Sequence, residues 1–325
     1  MNAITLVEAI NQAIAYEMTQ DKNVIIFGED IAVNGGVFRT TVGLLEKFGP
    51  ERVLDTPLAE SMIAGMAIGM AAQGLKPIAE FQFSGFIYSA VDQILSHAAR
   101  LRNRTRGRLS CPLVYRAPYG GGIHAPEHHS ESMEALFAHI PGIRVVIPSS
   151  PAKAYGLLLA SIRNPDPVLF LEPKRIYRLI KQEIVDHGEA LPLDKCFIDK
   201  EGSDITLISW GAMIKETTEA ADLLEQKGIS VEVIDLATIS PIDMDTIISS
   251  VEKTGRCVIV HEAARTCGVG AEISAQLAEY ALDCLKAPIQ RVTGYDTIMP
   301  YAQLEKQYMP SVKRIMDAVE KVINY

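Results

Sequence analysis

The sequence lacks the short motifs by which many nucleotide-binding and hydrolytic enzymes are recognised. It contains neither GxGxxG nor GxxxxGK[ST], the glycine-rich runs that expose backbone amides to a pyrophosphate or a triphosphate. A GxSxG turn, which holds the nucleophile of many serine hydrolases, is also absent. The sequence therefore gives no support to a standard dinucleotide-binding enzyme, a P-loop NTPase or a serine hydrolase.

Cysteine is sparse and irregularly spaced. The chain has five cysteines, an odd number, and no CxxC pair. This pattern favours neither a disulfide framework nor a cysteine zinc site, so we expect five reduced thiols. The N-terminal run MNAITLVEAINQ lacks the charged start and continuous apolar stretch of a secretory signal, from which we expect a cytoplasmic location.

Long apolar runs and long basic runs are both missing. The longest apolar run, at 62–72, is interrupted by glycines and is shorter than the roughly 20 residues that span a bilayer. The net charge is -9, and the one basic stretch, at 100–108, is short. Because nucleic acids and anionic membranes attract clustered Lys and Arg, we expect neither as a partner, and we expect no membrane anchor.

Strand-like and helix-like segments alternate along the 325 residues. This alternation predicts the α/β class, with helices covering both faces of parallel sheets, and the length fits two doubly wound parallel-sheet domains. An irregular, charged segment predicts a linker at 186–203, which separates domains at 1–185 and 204–325. The first domain has strand candidates at 24–28, 112–117, 144–148 and 167–173. The second begins with a βαβαβ pattern.

A histidine-rich loop follows three glycines in the run YGGGIHAPEHHSES. It contains His124, Glu127, His128 and His129, but Pro126 breaks any helix and the spacing is unlike that of a helical zinc site. Imidazole titrates near neutrality, and functional side chains are common on loops held by a rigid scaffold. The loop therefore favours general acid or base chemistry over metal binding.

Glu60 stands in the run DTPLAES, at the start of an apolar helix that contains glycines. A carboxylate at this position has a purely structural explanation, because it stabilises the helix N-terminus through the macrodipole. Considered alone, the residue favours that explanation over a catalytic one.

The order and spacing of several segments change this interpretation. Together they closely resemble the beta subunit of the decarboxylating component of 2-oxoacid dehydrogenase complexes, over nearly the whole chain. The segments are GEDIAVNGGVFR, DTPLAESMIAGMAIGMA, EFQFSGFIY, GGGIHAPEHHSES and EPKRIYR. The resemblance implies a transketolase-like pyrimidine-binding domain followed by a C-terminal domain.

The resemblance also implies a cofactor and partners. In that family thiamine diphosphate binds between an alpha and a beta chain of an α2β2 heterotetramer, and the alpha chain holds magnesium and the diphosphate through a Gly-Asp-Gly motif. No Gly-Asp-Gly occurs here. The resemblance therefore implies that this chain needs an alpha subunit for activity on a 2-oxo acid and passes the acyl group to the lipoyl group of a dihydrolipoyl acyltransferase core.

Individual positions match the residues of the family's site. Glu60 matches the glutamate that bonds the pyrimidine ring nitrogen and activates the cofactor, while Leu58, Gln82 and Phe86 match residues lining the aminopyrimidine pocket. His129 matches the histidine near the thiazolium that assists decarboxylation or acyl transfer. Some members bind potassium through backbone groups, and the matching positions here are Leu113, Ser161, Ile162, Asn164 and Asp166.

The substrate and the role remain open at this point. FSGFIY and HAPEHHSES are similar to bacterial pyruvate-type chains, whereas EPKRIYR and the run from His261 to Arg265 are also similar to branched-chain members. Pyruvate is favoured. The alternatives are a branched-chain 2-oxoacid dehydrogenase beta subunit, a scaffold chain of the same fold without catalysis, and a self-sufficient transketolase-type enzyme, against which the missing Gly-Asp-Gly counts.

Overall fold

The computed structural model describes residues 3–325, which group into two compact units. The first comprises the chain up to Tyr119 together with Leu136–Leu193, and the second comprises Gly120–Ala135 together with Asp194–Tyr325. Strands and helices alternate in both, which confirms the α/β class. The predicted domain boundaries and the linker at 186–203 remain a prediction.

The first unit is built on a parallel sheet. Its strands are β1 (Ile4–Thr5), β2 (Val24–Gly28), β3 (Val53–Asp55), β4 (Lys76–Glu80), β5 (Val114–Tyr119), β6 (Arg144–Val146), β7 (Val168–Pro173) and β8 (Lys181–Gln182). Within this unit the main sheet has the order β6-β7-β5-β4-β2-β3 with every neighbouring pair parallel, while β1 and β8 form a separate antiparallel pair. Every residue of β5 and β7 is buried, as expected for strands covered on both faces.

Helices cover this sheet. Those of the first unit are α1 (Leu6–Gln20), α2 (Leu44–Phe48), α3 (Glu60–Ala72), α4 (Leu101–Arg104) and α6 (Pro151–Arg163), with short 3-10 or π turns at Ser84–Ala90, Gln93–Ala98 and Lys174–Ile176. The 3-10 turn Glu127–His129 belongs to the second unit, and α5 (Glu134–Ala138) begins in the second unit and ends in the first. Thr5 and Glu8 form a capping box at the start of α1. Ser150 caps α6, and Pro151 occupies its first position, where no amide donor is needed. The local sequence thus defines the starts of α1 and α6, the two helices that pack together.

Three strands of the first unit differ from their predicted bounds. β6 ends two residues earlier than predicted, at Val146, and β7 begins one residue later, at Val168, while the largest difference is at β5. The prediction places it at 112–117, whereas β5 begins at Val114 and continues to Tyr119. The extension arises because Pro118 and Tyr119 pair in register with Glu172 and Pro173 of β7. A proline near the end of a strand is tolerated where its missing N–H is not needed, which local sequence patterns do not reveal.

The second unit contains a smaller sheet. The strands of this unit are β9 (Phe197–Lys200), β10 (Ile205–Ser209), β11 (Val231–Asp235), β12 (Thr238–Ser240), β13 (Cys257–Val260) and β14 (Gln290–Val292), and β12 is not part of this sheet. The five-stranded sheet has the order β14-β13-β10-β11-β9. The parallel pairs β10–β11 and β10–β13 confirm the predicted βαβαβ unit. The edge strand β9 is antiparallel to β11 and lies within the segment predicted as linker.

Five helices of the second unit complete the described chain. They are α7 (Met213–Glu225), α8 (Met244–Thr254), α9 (Val269–Tyr280), α10 (Ala302–Tyr308) and α11 (Val312–Ile323). At the carboxyl ends of β10 and β13, the rings of Trp210 and His261 stack with their centroids 5.1 Å apart. None of the helices formed by residues 3–325 combines the length and the apolar character that a membrane crossing requires.

Strand order locates the region where a ligand is expected in the first unit. The strands β4, β2 and β3 are neighbours, so the segments that follow them emerge at the same edge of the sheet. Clefts at the carboxyl ends of parallel strands are the usual ligand sites of open α/β sheets. The segments that emerge there include Glu29, Glu60 and Gln82.

Candidate active site

Glu60 is the first residue of α3, as predicted from the sequence. The residue before it, Ala59, is the N-cap and provides no side-chain cap, so the exposed amides of the first turn favour a nearby carboxylate. The Glu60 side chain is half-buried. This position stabilises the N-terminus of α3 through the helix dipole. It also leaves the side chain partly accessible to a ligand.

Glu29 is a second carboxyl group near Glu60, and the sequence interpretation did not single it out. It directly follows β2 and is 6% exposed, and its Oε1 has no hydrogen-bond partner among the described residues. Burial raises the pKa of Glu29, and the negative charges of Glu60 and Asp30 raise it further, although a hydrogen bond from the backbone of Ala59 opposes the shift. An acidic residue immediately after a buried strand was the available signal.

The loop after β2 is fastened to the neighbouring segments. Asp55, at the end of β3, accepts hydrogen bonds from the backbone N–H of Ala32 at 2.7 Å and of Val33 at 3.3 Å. The amide Nε2 of Gln82 lies 3.4 Å from Oδ2 of Asp30. Gln82 is thus joined to the segment that carries Glu29, on the edge where Glu60 also lies.

Phe86 belongs to a ladder of aromatic rings. Its ring lies edge-on to Phe83 with centroids 5.6 Å apart, Phe83 lies 5.4 Å from Phe38, and Phe38 lies 5.2 Å from Tyr177. Rings packed at such distances fix each other's orientation. Leu58, in contrast, is 78% exposed in this chain.

The ladder ends on a buried ion-pair network. Tyr177 donates to Glu172 at 2.7 Å, and Arg116 donates to Glu172 at 2.6 Å and to Glu80 at 2.7 Å. Burial alone would lower the pKa of Arg116, but the carboxylates of Glu172 and Glu80 raise it above its usual value. Burial raises the pKa of Glu80. The positive charge of Arg116 lowers it, but by less, so the pKa stays above its usual value. The network therefore joins β4, β5 and β7. The segment that leads toward Phe86 is bound to it as well, because the N–H of Phe81 donates to the carbonyl of Arg116 at 2.9 Å.

The histidine loop lies in the second unit, within Gly120–Ala135. His129 ends the short turn Glu127–His129 and is half-buried, whereas His128 is exposed. The loop is closed on itself by the N–H of Gly120, which donates to the carbonyl of Glu131 at 2.9 Å. Within residues 3–325, no three His, Cys, Asp or Glu side chains are grouped so that they could hold a metal ion.

The five residues matched to a potassium site lie on two segments that the structure brings together. The N–H of Cys111 donates to the carbonyl of Pro165 at 3.0 Å, and that of Val168 donates to Leu113 at 3.0 Å. The segment from Ser161 to Asp166 is further ordered by a hydrogen bond of 2.9 Å from the Asp166 N–H to the Asn164 side chain. The two segments are therefore hydrogen-bonded neighbours. Side chains of this region also form bonds within the chain, as in the pair of Asp166 with Arg102 at 2.5 Å.

Two family models match the chain. The model described as transketolase, pyrimidine binding domain, matches residues 2–180, and the model described as transketolase, C-terminal domain, matches residues 194–315. The two matches follow the order of domains implied by the sequence resemblance.

Curated relatives match over the full length. The pyruvate dehydrogenase E1 component subunit beta of Staphylococcus epidermidis is 48% identical over 325 residues, which is 100% of both chains. The subunit of the same name from Acholeplasma laidlawii is 51% identical over 322 residues, 99% of this chain and 98% of that one, and that from Bacillus subtilis strain 168 is 46% identical over 325 residues. The chain belongs to the pyruvate dehydrogenase E1 beta-subunit family. The resemblance seen in the sequence is confirmed.

A solved structure has the same fold as this member of the E1 beta family. It is described as a split gene transketolase, inactive beta4 tetramer, and it matches with a TM-score of 0.82 at 23% identity over 99% of both chains. At this identity the likeness shows the fold alone. It confirms the predicted transketolase-like architecture of two α/β domains.

Proposed function

We propose that this chain is the beta subunit of a thiamine-diphosphate-dependent pyruvate dehydrogenase component, which decarboxylates the 2-oxo acid and acylates a lipoyl group. The observation that carries the proposal is the position of Glu60, a half-buried carboxyl group on the first turn of α3 at the carboxyl edge of the parallel sheet. The full-length identity to E1 beta subunits supports it. Because the chain has no Gly-Asp-Gly motif, its activity requires an alpha subunit.

The residues at this edge suit the aminopyrimidine half of thiamine diphosphate. Glu60 offers a carboxyl group and Gln82 an amide, which can form hydrogen bonds with the ring nitrogens. Phe86 and Leu58 offer apolar surfaces against which a flat ring can pack. When bound, thiamine diphosphate supplies a nucleophilic carbon and an acceptor for the electrons released with carbon dioxide.

Each side chain has a role that follows from its chemistry. Glu60 exchanges a proton with the pyrimidine ring nitrogen and so activates the cofactor. Phe86, held by Phe83, packs against the ring, and Leu58 and Gln82 complete the walls of the pocket. Glu29 adds a buried carboxyl group beside Glu60, and burial raises its pKa.

His129 acts at the reacting end of the site in this proposal. Its imidazole can hold or deliver a proton during decarboxylation or during reductive acylation, in which the lipoyl S–S bond breaks, one sulfur takes the acyl group and the other takes a proton. His128, which is exposed, is given no catalytic role.

The partners follow from the same proposal. The chain assembles with an alpha subunit as an α2β2 heterotetramer that docks on a dihydrolipoyl acyltransferase core, in the cytoplasm, and the alpha subunit holds magnesium with the diphosphate. A potassium ion is bound by the two segments that contain Leu113, Ser161, Ile162, Asn164 and Asp166. The close approach of these segments supports that site.

The test uses the chain coexpressed with its alpha subunit. We expect Glu60→Gln and Glu60→Ala to assemble normally and to lose thiamine-diphosphate-dependent decarboxylation, while Glu46→Gln, which removes a charge from an exposed position of the same unit, keeps wild-type activity. Full activity of the Glu60 variants would refute the assignment of Glu60 as the activating residue.

Parallel assays of pyruvate and branched-chain 2-oxo acids decide the substrate. The proposal expects the higher kcat/KM for pyruvate, and a preference for branched-chain substrates would move the assignment to the branched-chain alternative. Assembly without turnover of any 2-oxo acid would support the scaffold alternative instead. Cofactor binding and turnover by this chain alone would support the self-sufficient enzyme.

A further inference from the structure

Glu305 is a buried carboxylate on α10 that faces the backbone of the histidine loop. It is 2% exposed. Its Oε1 accepts a hydrogen bond from the N–H of Gly122 at 2.8 Å, and its Oε2 accepts one from the N–H of His124 at 3.1 Å. The His124 ring is also close, with Nε2 3.4 Å from Oε2. One side chain therefore binds two backbone amides of the loop and lies close to one of its imidazoles.

The loop needs such an acceptor because its own backbone has an unusual conformation. Gly120, Gly122 and His124 have φ of +83°, +87° and +60°, and for His124 this left-handed conformation is uncommon. Residues held in such conformations persist when the surrounding structure compensates the strain. Hydrogen bonds to a carboxylate are stronger than those between neutral groups, and Glu305 supplies them here.

Close packing reinforces the contact. A Cβ atom added to Gly121 would lie 2.4 Å from the terminal methyl group of Met299, so the loop and the segment that leads into α10 touch at van der Waals distance. Tyr301, just before α10, hydrogen-bonds to Glu127, and this bond raises the pKa of the Tyr301 hydroxyl. The segment around α10 thus contacts the loop on the N-terminal side of His129.

A different carboxylate, that of Glu262, contacts the loop near both of its ends. Ser132 donates to Glu262 at 3.0 Å, and a Cβ atom on Gly120 would lie 2.0 Å from Oε1 of the same glutamate. Between these two attachments the N–H of His129 donates to Pro126 at 3.0 Å, which forms the turn that carries the imidazole.

We propose that Glu305 is a positioning residue for His129: by binding the amides of Gly122 and His124 it holds the loop in the conformation that presents the His129 imidazole. This rests on the proposed function, in which His129 acts on the substrate. Glu305 itself has no contact with the reacting atoms in this proposal. Its effect passes through the loop backbone.

The chemistry of the side chain makes specific variants informative. A carboxylate offers only acceptors, which matches the two amide donors of the loop. In Glu305→Gln the charge is removed and one acceptor becomes an NH2 group. With the amide oxygen in the place of Oε1, which accepts from Gly122 at 2.8 Å and from His124 at 3.3 Å, the shorter bond from His124 to Oε2 is lost. Glu305→Asp keeps both acceptors on a shorter side chain and should restore part of the function. Glu320→Gln, an exposed change of the same charge on α11, is the matched control.

The first measurement is amide hydrogen exchange in the assembled alpha-beta complex, which does not depend on activity. We expect Glu305→Gln and Glu305→Ala to speed exchange in the peptide covering 120–132, and to leave exchange in β10 and β13 unchanged, because the lost bonds are local. Glu320→Gln should match the wild type in both regions. Wild-type exchange in 120–132 of both Glu305 variants would overturn the proposal.

The second measurement is a double-mutant cycle with His129. Small displacements of a catalytic group reduce rates on the order of 100-fold, so we expect Glu305→Ala to lower kcat by about that factor, in the same half-reaction that His129→Ala impairs. The half-reactions are separated by assaying decarboxylation with an artificial electron acceptor and acylation with a lipoyl domain. In the double variant the two fold-losses in kcat should not multiply, because both substitutions remove the same contribution, that of the His129 imidazole.

The outcomes separate this proposal from the function on which it rests. A wild-type complex that is inactive on every 2-oxo acid would overturn both. An active wild type whose double variant shows multiplied losses, or whose Glu305 variants lose only thermal stability, would overturn the positioning role and leave the function intact. Non-additive losses together with partial recovery in Glu305→Asp would support the positioning role.

Discussion

The Nε–H of Arg116 donates to Oε1 of Glu172 over 2.6 Å, and the exposed fractions of the two side chains are 2% and 0%. Arg116 is also bound to Glu80, so one cation compensates two buried carboxyl groups. Removing the cation would leave both carboxyl groups without a compensating charge, although Glu172 would keep its bond from Tyr177. We therefore expect Arg116→Met to destabilise the chain by about 3–5 kcal/mol, measured by urea unfolding of the assembled protein.

Arg102→Ala provides the comparison for Arg116. Arg102 pairs with Asp166 at 2.5 Å, but its side chain is 45% exposed, so water replaces the lost partner. The expected loss is below about 1 kcal/mol. Equal losses in the two variants would show that burial does not determine the contribution of these ion pairs.

Glu29 should make stability depend on pH. Its pKa is raised in the folded chain, chiefly by burial, so ionisation above the ordinary value of 4.5 is unfavourable in the folded state. The cost appears as the pH rises above the unfolded pKa and is complete above the folded pKa. We expect the melting temperature of Glu29→Gln, relative to the wild type, to increase as the pH rises above 4.5. A constant difference across this range, as expected for the exposed Glu46→Gln, would contradict this account.

His261 should have the opposite dependence. Burial lowers its pKa from 6.5 to about 4, with Arg291 adding to the effect, so the folded chain holds it neutral. Stability present above pH 6.5 is lost as the pH falls toward 4, because the unfolded chain takes up the proton first. The full loss corresponds to about 3 kcal/mol.

The variant His261→Asn tests this dependence. It should be less stable at neutral pH, because the stack on Trp210 is lost, but its stability should fall less steeply between pH 6.5 and 4. Denaturant unfolding at several pH values gives both slopes. Parallel slopes for the variant and the wild type would rule out His261 as the titrating group.

Phe86 should affect the binding of thiamine diphosphate by the assembled complex. Replacing it with alanine removes the ring that packs on the aminopyrimidine, and the expected weakening is about two- to tenfold, from the roughly 0.5–1.5 kcal/mol typical of an aromatic contact. Titration of the complex with cofactor, followed by activity, gives the half-saturation. Phe48→Ala removes a half-buried ring that packs under Arg52 elsewhere in the same unit, and it should leave half-saturation unchanged.

Patterns in the sequence predicted the features of the fold that depend on residues close together along the chain. The alternation of strands and helices, the start of α3 at Glu60 and the βαβαβ unit of the second domain all follow from local periodicity and end signals. The strand β9 was not predicted, because Phe197–Lys200 is a charged edge strand with two exposed residues, and so has no buried pattern. Periodicity detects a strand only when burial selects its residues.

The details of the site that were missed depend on distant contacts. The approach of Glu29 to Glu60 results from neighbouring strands β2 and β3, and no spacing in the sequence records that adjacency. Glu305 appears in the sequence as one of many acidic residues on a short helix, and its role depends on the amides that it meets. Every residue type has a backbone carbonyl group. The residue types at Leu113 and Ser161 therefore cannot identify a site that backbone groups form.

The bond between Gly122 and Glu305 joins residues separated by 183 positions in the chain. During synthesis the histidine loop therefore leaves the ribosome long before the carboxylate that orders it. The loop cannot reach its final conformation until Glu305 has been made, so the maturation of this part of the site depends on synthesis of the second unit.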